Sequence, residues 1–449
     1  MHGQAGHREE WTTELKDTAR LRRLILSRKA SLAVMGQGYI GLSVASAAAQ
    51  EGFSVTGIDV DRARLERLAT GDLSVPGVAE DLFTSAIGSG RLRFATEPSP
   101  VARANIIIIA VPTPLRDHTP DLSFVENACR DVATHLKAGS IVILESTTYP
   151  GTTEQLVRPI LETSGLIAGR DFLLAYSPER IDPGNSEFGL RNTPRIVAGL
   201  GAEATGVVAL FYEQLIEKVV VVSSLRTAEL AKLLENTFRH VNIALVNELA
   251  TLCNDIGIDV WEVIDAASTK PFGFMAFQPG PGVGGHCIPL DPEYLAWQVR
   301  RDAGRQFRIL AQAEDINAQM PGYVASRIGD ALNDHGLAVK DARILCLGLS
   351  YKADVGDLRE SPAVKVLQHL YRRGAHVEFH DPYVESIPVD GVSLFRSELT
   401  QRAVAGAQCI ALLTPHHLYD LDWIAQHGNL IFDARNAYSA QRQANVVRL

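Results

Sequence analysis

Cysteine, aromatic residues and positive charge are all in short supply in this 449-residue chain. The five cysteines, Cys129, Cys253, Cys287, Cys346 and Cys409, are odd in number and show no C-x-x-C spacing, which excludes a disulfide framework and a structural zinc site. No metal is expected, and a reducing, cytoplasmic compartment fits. Lys plus Arg number 43 against 52 Asp plus Glu, a net charge of −9. That balance excludes nucleic acid and anionic membrane as general partners, so any anionic ligand needs a locally basic pocket. Long apolar runs are also missing, with one exception. Ser31 to Gln50 is twenty residues without a charge, the length of a membrane span, but its glycines and small polar residues suggest a strand, a turn and a helix. The N-terminus, MHGQAGHREEWTTELKDTARLRRL, is charged throughout and lacks the apolar core of a secretory signal.

What is present is an ordinary globular composition, 46% hydrophobic and 21% charged, in a chain long enough for two or three domains. Residues 10–28 read as a short amphipathic helix. From Ser31 onward SLAVMG, FSVTGID, NIIIIAVP, SIVILEST, DFLLAYSP, RIVAGL and KVVVVSS alternate with stretches of helical spacing such as 122–137. Continuous apolar runs flanked by helices predict a parallel sheet covered on both faces. The pattern stops near Ser224. Apolar residues then recur at Leu230, Leu233, Leu234, Phe238, Val241, Leu245, Leu249, Leu252 and Ile256, the spacing of one long amphipathic helix over 227–256. At about 1.5 Å per residue it would run about 45 Å, enough to join two domains and offer a face to a second copy of the chain. The Gly/Pro-rich segment 271–292 is expected to be a functional loop without regular structure. Helical sequence continues to about 337, after which RILCLGL, HVEFHDP, QCIALLTP and NLIFDAR restart a β/α alternation. The expected segments are therefore 31–224, 225–337 and 338–449.

Gly36, Gln37, Gly38, Tyr39, Ile40 and Gly41 spell G-Q-G-Y-I-G between a predicted strand and a predicted helix. In that context the first glycine permits a tight turn, the second a close approach of a pyrophosphate, and the third close packing of helix on strand. The helix N-terminus faces the phosphates. Asp59, 23 residues beyond Gly36, closes the second strand, where its carboxylate can accept from an adenosine ribose and repel a 2′-phosphate. NAD is expected rather than NADP. Arg64 either contacts the adenosine or is a solvated helix residue. Pro112, Thr113, Ser146 and Thr147 lie at strand ends, where ligands of open parallel sheets sit and where plain turns also need such residues.

Cys287 stands in Gly284-Gly285-His286-Cys287-Ile288-Pro289. A thiol there becomes a nucleophile if a neighbouring cation lowers its pKa, and is otherwise an inert buried cysteine. Lys232 and Asn236, four residues apart on the long helix, share a face. Together they can stabilise an alkoxide or a thiohemiacetal oxyanion, or be solvated. Glu179 and Arg180 follow a strand in Y-S-P-E-R. Lys352, Asp357 and Arg359 lie in YKADVGDLRES, where ion pairing is the simpler reading.

Taken in order, MGQGYIGLSVA, VPTP, ESTTYPGTT, YSPER, AELAKLLENTF, PGPGVGGHCIPLDP and YKADVGDLRES resemble the UDP-glucose/GDP-mannose dehydrogenase family of nucleotide-sugar 6-dehydrogenases. The resemblance spans 31–435. It implies an α/β fold of two Rossmann-like doubly wound domains joined by a long central helix and a helical segment. The first domain would bind NAD, the last the nucleotide sugar, and the long helix would make a homodimer. It further implies two successive oxidations at C6 of the sugar. Cys287 would be the nucleophile, passing through a thiohemiacetal and a thioester, with Lys232 and Asn236 on the intermediate oxygens. Thr147, Glu179 and Asp291 match positions that orient water or support proton transfer. Glu179, Arg180, Lys232, Asn236, Phe277, Gly284, His286 and Lys352 match the substrate side, and Arg359 reaches toward the cofactor. Where many UDP-glucose dehydrogenases carry G-G-S-C-F-x-K-D, this chain has G-G-H-C-I-P-L-D. With SPERIDPGN and PFGFMAFQPGPG, that looks more like the branch oxidising UDP-N-acetyl-hexosamines, UDP-N-acetylglucosamine first among them, than UDP- or TDP-glucose. A two-electron hydroxyacid dehydrogenase and a non-catalytic NAD-binding protein are the competing classes.

Overall fold

The computed structural model describes residues 18–449 apart from 74, 76, 118, 183–186, 286 and 440–442, and for Cys287 the main chain alone. It divides into two compact units that meet in sequence at Leu233 and Leu234, within the long helix Leu225–Asp255.

In the first unit the strands are β1 (Ser31–Met35), β2 (Ser54–Ile58), β3 (Leu92–Ala95), β4 (Ile106–Ile109), β5 (Leu115–Arg116), β6 (Thr119–Pro120), β7 (Ile141–Leu144), β8 (Leu173–Tyr176), β9 (Arg195–Gly199) and β10 (Val219–Val221). Eight of them form one sheet in the order β10-β9-β8-β7-β4-β1-β2-β3, while β5 and β6 pair as a small hairpin. The run from β3 to β8 has the strand order of a dinucleotide-binding doubly wound fold. All four residues of β4 and all four of β7 are fully buried, because helices cover both faces of the sheet. The uncharged stretch 31–50 resolves into β1 and the helix Tyr39–Gln50, whose Leu42, Ala45 and Ala48 pack into the core. No helix among the described residues is long and apolar enough to cross a membrane.

The sheet departs from the expected all-parallel arrangement at one edge. β9 runs antiparallel to β8, and β10 follows β9 in parallel. A parallel return needs a crossover of a dozen or more residues, usually a helix; the described part of 177–194 contains none, so the chain folds straight back.

The second unit holds the helices Val260–Ser268, Cys287–Ala303 and Arg308–Asp334. Its strands are β11 (Arg343–Leu347), β12 (His376–His380), β13 (Ser386–Val389), β14 (Val392–Phe395), β15 (Cys409–Leu412), β16 (Ile431–Asp433) and β17 (Val446–Arg448). Five make a parallel sheet in the order β12-β11-β15-β16-β17, and β13 pairs with β14 antiparallel. The segment expected to be irregular through 292 becomes helical at Cys287. Proline near a helix start costs little, because the first turn has no intrahelical partner for its N–H groups. The long helix itself covers Leu225–Asp255, close to the expected 227–256.

The end of the chain is tied to the helical part of this unit. Trp261 Nε1 donates to the Leu449 carbonyl at 3.2 Å, and Arg448 pairs with Asp259. Asp259 also caps its own helix, accepting from Trp261 N at 3.0 Å. Asp259→Ala is therefore expected to destabilise the protein by about 1–2 kcal/mol, whereas Asp259→Asn, which keeps a capping oxygen, should lose less than half of that. Thermal unfolding of the two variants checks the order.

Candidate active site

The turn after β1 is built from contacts that only glycine permits. Gly36 has φ +91°, and a Cβ there would sit 2.4 Å from the Ala110 carbonyl oxygen. A Cβ on Gly41 would meet the Gly36 carbonyl oxygen at 1.9 Å, which is the close packing of helix on strand. Around Gly38, by contrast, no protein atom outside its immediate chain neighbours lies within 4 Å of the place a Cβ would take. The backbone is thus exposed to a ligand at the one glycine where the fold makes no steric demand. Gly38 is also the N-cap of helix Tyr39–Gln50, so that helix begins, at Tyr39 and Ile40, with N–H groups suited to a pyrophosphate. Gln37 is fully buried; its side chain donates to the Val34 and Gly36 carbonyls at 2.9 Å, and its main-chain N–H donates to Asp59 Oδ2 at 2.7 Å. Asp59 Oδ1 accepts from Asp61 N at 2.9 Å. Arg64 folds back on the acids, 3.2 Å from Asp59 and 3.4 Å from Asp61. The strand-end carboxylate is therefore oriented in advance, as a ribose acceptor must be, and the turn fits NAD.

The other strand ends of this sheet are mixed in character. Thr113 is buried after β4 and Pro112 is exposed. Ser146 Oγ stitches the ends of β4 and β7, donating to the Val111 carbonyl at 2.7 Å and accepting from Val111 N at 3.0 Å. Thr147, next to it, is half-buried. Glu179, beyond β8, is buried and fully engaged: Oε1 accepts from Arg180 N and Ile181 N, both at 2.7 Å, and Oε2 pairs with Arg195. Arg180 in turn donates to the Pro194 carbonyl at 2.6 Å.

Arg195 is the centre of a buried charge cluster that pattern reading missed. Its guanidinium also meets Glu145 at 2.7 Å and Ser177 Oγ at 2.8 Å, and lies 4.7 Å from the centre of the Tyr212 ring. Tyr212 donates to Glu145. Burial pushes the Glu145 carboxyl above the usual carboxylate range, with Arg195 pulling the other way. The available signal was an acid inside SIVILEST and an arginine opening RIVAGL, charges in runs otherwise fit for a sheet interior.

The long helix carries three polar residues on one face. Glu229, fully buried, accepts from Gly151 N at 2.5 Å, Thr153 N at 2.9 Å and Thr153 Oγ1 at 2.6 Å. Burial pushes its carboxyl up to about 7 against those hydrogen bonds, which favour the anion. It ties the start of the helix to the loop that follows Thr147. Lys232, one turn on, is 8% exposed and has no hydrogen bond or ion pair among the described residues. A nearly buried ammonium without a carboxylate is costly, which suits a group reserved for a ligand. Asn236, a further turn along, donates through Nδ2 to Asp291, a residue 55 positions away in sequence and 5% exposed. Asp291 lies on the helix that begins at Cys287, one turn after that residue. His286 and the Cys287 side chain fall outside the described residues.

Ahead of that helix the chain is packed against YKADVGDLRES. Gly285 has φ +89° and donates its N–H to the Arg359 carbonyl at 2.9 Å; a Cβ on it would lie 2.8 Å from the Tyr351 ring. A Cβ on Gly284 would be 2.8 Å from both Tyr351 and Pro362. Phe277 stacks edge-on with Phe238 of the long helix, their centres 5.8 Å apart. Lys352 is half-buried, and its carbonyl accepts from Ser350 Oγ at 3.1 Å. Arg359 is exposed and ion-paired with Asp357 at 2.6 Å, the pairing its sequence neighbourhood suggested.

Comparison with known proteins shows what the chain as a whole resembles. Residues 30–216 match the NAD binding domain of the UDP-glucose/GDP-mannose dehydrogenase family, 226–319 its central domain and 345–440 its UDP binding domain. An NDP-N-acetyl-D-galactosaminuronic acid dehydrogenase of Ralstonia nicotianae is 36% identical over 427 residues, 92% of this chain and 97% of that protein. The UDP-N-acetyl-D-mannosamine dehydrogenase of Escherichia coli K12 is 34% identical over 426 residues, 91% and 99% of the two chains. The solved structure of UDP-D-ManNAc dehydrogenase from Pyrococcus horikoshii superposes with a TM-score of 0.84 at 33% identity, covering 93% of this chain and 98% of that one.

Two substitutions separate fold from ligand at this site. Gly38→Ala should leave the unfolding temperature unchanged and weaken NAD binding tenfold or more, about 1.4 kcal/mol, while Gly36→Ala should lose both stability and binding; calorimetry and thermal melts read the two effects. Arg195→Met leaves Glu145 and Glu179 buried without a cation, and is expected to cost about 3–5 kcal/mol in denaturant unfolding.

Proposed function

The chain belongs to the UDP-glucose/GDP-mannose dehydrogenase family and is an NAD-dependent dehydrogenase of nucleotide sugars, and from that premise we propose that it oxidises the C6 alcohol of its sugar to a carboxylate in two steps on Cys287. The observation that carries this reading is the hydrogen bond from Asn236 to Asp291. It joins the long helix to the helix that starts at Cys287 within the second unit, which supports reading Asn236, Asp291 and Cys287 as parts of one site.

In the first step the C6 hydroxyl gives up its proton and C6 gives up a hydride, leaving an aldehyde. NAD, which the Gly36–Gly41 turn and Asp59 would hold, would supply the hydride acceptor for this oxidation and, after exchange, for the next. The Cys287 thiolate adds to the aldehyde carbon, and the oxyanion so formed is the group that Lys232 and the Asn236 amide are suited to stabilise. The first residue of a helix is a favourable place for a thiolate, because the helix N-terminus stabilises negative charge. Loss of the second hydride turns the thiohemiacetal into a thioester. Water then attacks the thioester carbonyl, the C–S bond breaks, and the acid leaves as the thiolate is restored. Asp291, held by Asn236, and Thr147 are the groups assigned to positioning that water or moving its proton. Glu179, whose oxygens are taken by Arg195 and two main-chain N–H groups, is assigned to holding the Y-S-P-E-R segment in shape. On the same reading 31–224 binds NAD, 225–337 supplies the reactive loop, and 338–449 binds the nucleotide, with Lys352 on the substrate.

For the sugar we favour a UDP-N-acetyl-hexosamine. The relatives cited above bear the names of N-acetylated sugars, and the PGPGVGG loop leaves backbone groups for an acetamide. UDP-N-acetylglucosamine is the member expected; its C2 and C4 epimers are the alternatives that the assay separates. Homodimerisation is supported by the long helix, where Leu234, Leu245 and Leu252 are each more than half exposed. An enzyme using NAD, with Cys129, Cys346 and Cys409 kept as free thiols, belongs in a reducing cytoplasm.

A panel of nucleotide sugars with NADH counted per sugar is the test. Two NADH per UDP-N-acetyl-hexosamine are expected, with kcat/KM at least tenfold above UDP-glucose, since an unfilled acetamide site costs about 1–3 kcal/mol per lost hydrogen bond. Cys287→Ala should bind sugar and NAD but form no acid. One NADH per sugar would instead mark a two-electron dehydrogenase, and normal acid formation by Cys287→Ala would end the covalent mechanism.

A further inference from the structure

The second parallel sheet repeats the dinucleotide turn of the first almost bond for bond. Gly36 N donates to the Ile58 carbonyl at 2.8 Å, and Gly348 N donates to the His380 carbonyl at 2.9 Å. Gly36 has φ +91° and Gly348 φ +78°, and each packs a missing Cβ against a third-strand carbonyl, that of Ala110 or of Thr414. The next residue donates its N–H to the Oδ2 of a strand-end aspartate, Gln37 to Asp59 and Leu349 to Asp381, both at 2.7 Å. The residue two beyond each aspartate donates to its Oδ1, again at 2.9 Å in both.

The copies diverge where a ligand would enter. The counterpart of Gly38 is Ser350, fully buried, whose N–H and Oγ approach Asp381 Oδ2 at 3.0 and 3.2 Å. His416, also buried, brings its Nε2 to the same oxygen at 3.1 Å. No helix follows directly: the next begins at Pro362, after the loop that holds Lys352. Asp381 is therefore sealed, where Asp59 keeps its place at a cofactor turn.

His416 has a second contact. Its Nδ1 accepts the N–H of Asp354 at 2.9 Å. The neutral ring must then carry its hydrogen on Nε2 and donate it toward Asp381. One imidazole thus ties the strand-end acid to the far end of segment 350–354. That segment has Lys352 at its middle and Tyr351, against Gly284 and Gly285, beside it. Asp354 itself adopts φ +61°, a left-handed conformation that the loop must hold against its ordinary preference.

We infer that His416 is a positioning residue: it converts the second dinucleotide-type turn from a ribose site into a clamp that presents Lys352 to the nucleotide of the substrate. The inference rests on the assignment of Lys352 to the substrate, and the experiment is arranged to fail separately from it. His416→Asn retains an acceptor near the Nδ1 position, His416→Gln retains a donor near Nε2, and His416→Phe retains neither. Each is measured in the full chain by calorimetric titration with UDP and by steady-state kinetics, with Lys352→Ala alongside. His416→Asn and His416→Gln each cut one end of the tie, so each is expected to weaken UDP binding and raise the KM for the nucleotide sugar by about tenfold, the usual scale for one buried hydrogen bond, with the KM for NAD unchanged. If either variant keeps UDP affinity and the sugar KM within about threefold of the parent, or moves the KM for NAD by the same factor as the sugar KM, the clamp is refuted, and this comparison stands even if His416→Phe does not fold. If Lys352→Ala leaves UDP affinity and sugar KM unmoved, it is the assignment of Lys352 that fails.

Discussion

A carboxylate at the end of a second strand, accepting main-chain N–H groups from the turn after the first, is the interaction on which both halves of this protein are organised. At the carboxyl edge of a parallel sheet the chain leaves the ladder, and its N–H groups lose their strand partners. Asp59 and Asp381 replace those partners, and a glycine with positive φ makes each turn tight enough for them to reach. What each half then does depends on what else touches the acid. In the first unit it is one arginine at the surface; in the second it is a buried serine and a buried histidine.

The first unit also keeps an unusual amount of charge inside. Arg195 lies between Glu145 and Glu179, and Glu229 is buried against two main-chain N–H groups and a threonine hydroxyl. Such groups seldom add net stability, because desolvation consumes most of the attraction. They do fix the ends of β7, β8 and β9 and the root of the long helix. These are the segments from which Thr147, Glu179 and Lys232 project. The buried charge therefore acts on geometry, and Lys232 is conspicuous as a nearly buried cation left out of it.

In the second unit the same economy appears around the glycine-rich loop ahead of Cys287. The loop's shape comes from Tyr351 and the Arg359 carbonyl pressing on consecutive glycines, where a side chain at either position would collide. The loop then passes directly into a helix at Cys287, with Asp291 a turn later bound to Asn236. A segment that is irregular and rich in proline thus delivers its cysteine to a defined helical position.

Much of this was legible before folding. The apolar runs of β1, β4, β7, β8, β11 and β15, the long helix, the glycine turn and Asp59 are local patterns, each set by the side-chain period or by backbone sterics within a few residues. The resemblance to the family's motifs is what singles out Lys232, Asn236 and Cys287 for the proposed chemistry. Other features could not be read from neighbours in sequence. The reversal of β9 is a matter of which edge it pairs with, since the described part of 177–194 holds no crossover helix. The short strands β3 and β17, four and three residues long, are too short to show a period. The helical start at Cys287 is disguised by two prolines, Pro289 in the opening turn and Pro292 inside the helix. The Arg195 cluster, the Asn236–Asp291 bond and the His416 clamp join residues 16 to 55 or more positions apart, so their partners exist only once the sheets have formed. Sequence alone determined the long apolar strands, the long helix and the glycine turn, because those depend on local sterics and hydrophobic period; tertiary structure alone decided which polar groups meet, because burial leaves each of them no solvent to bond with and only the folded chain supplies the replacement.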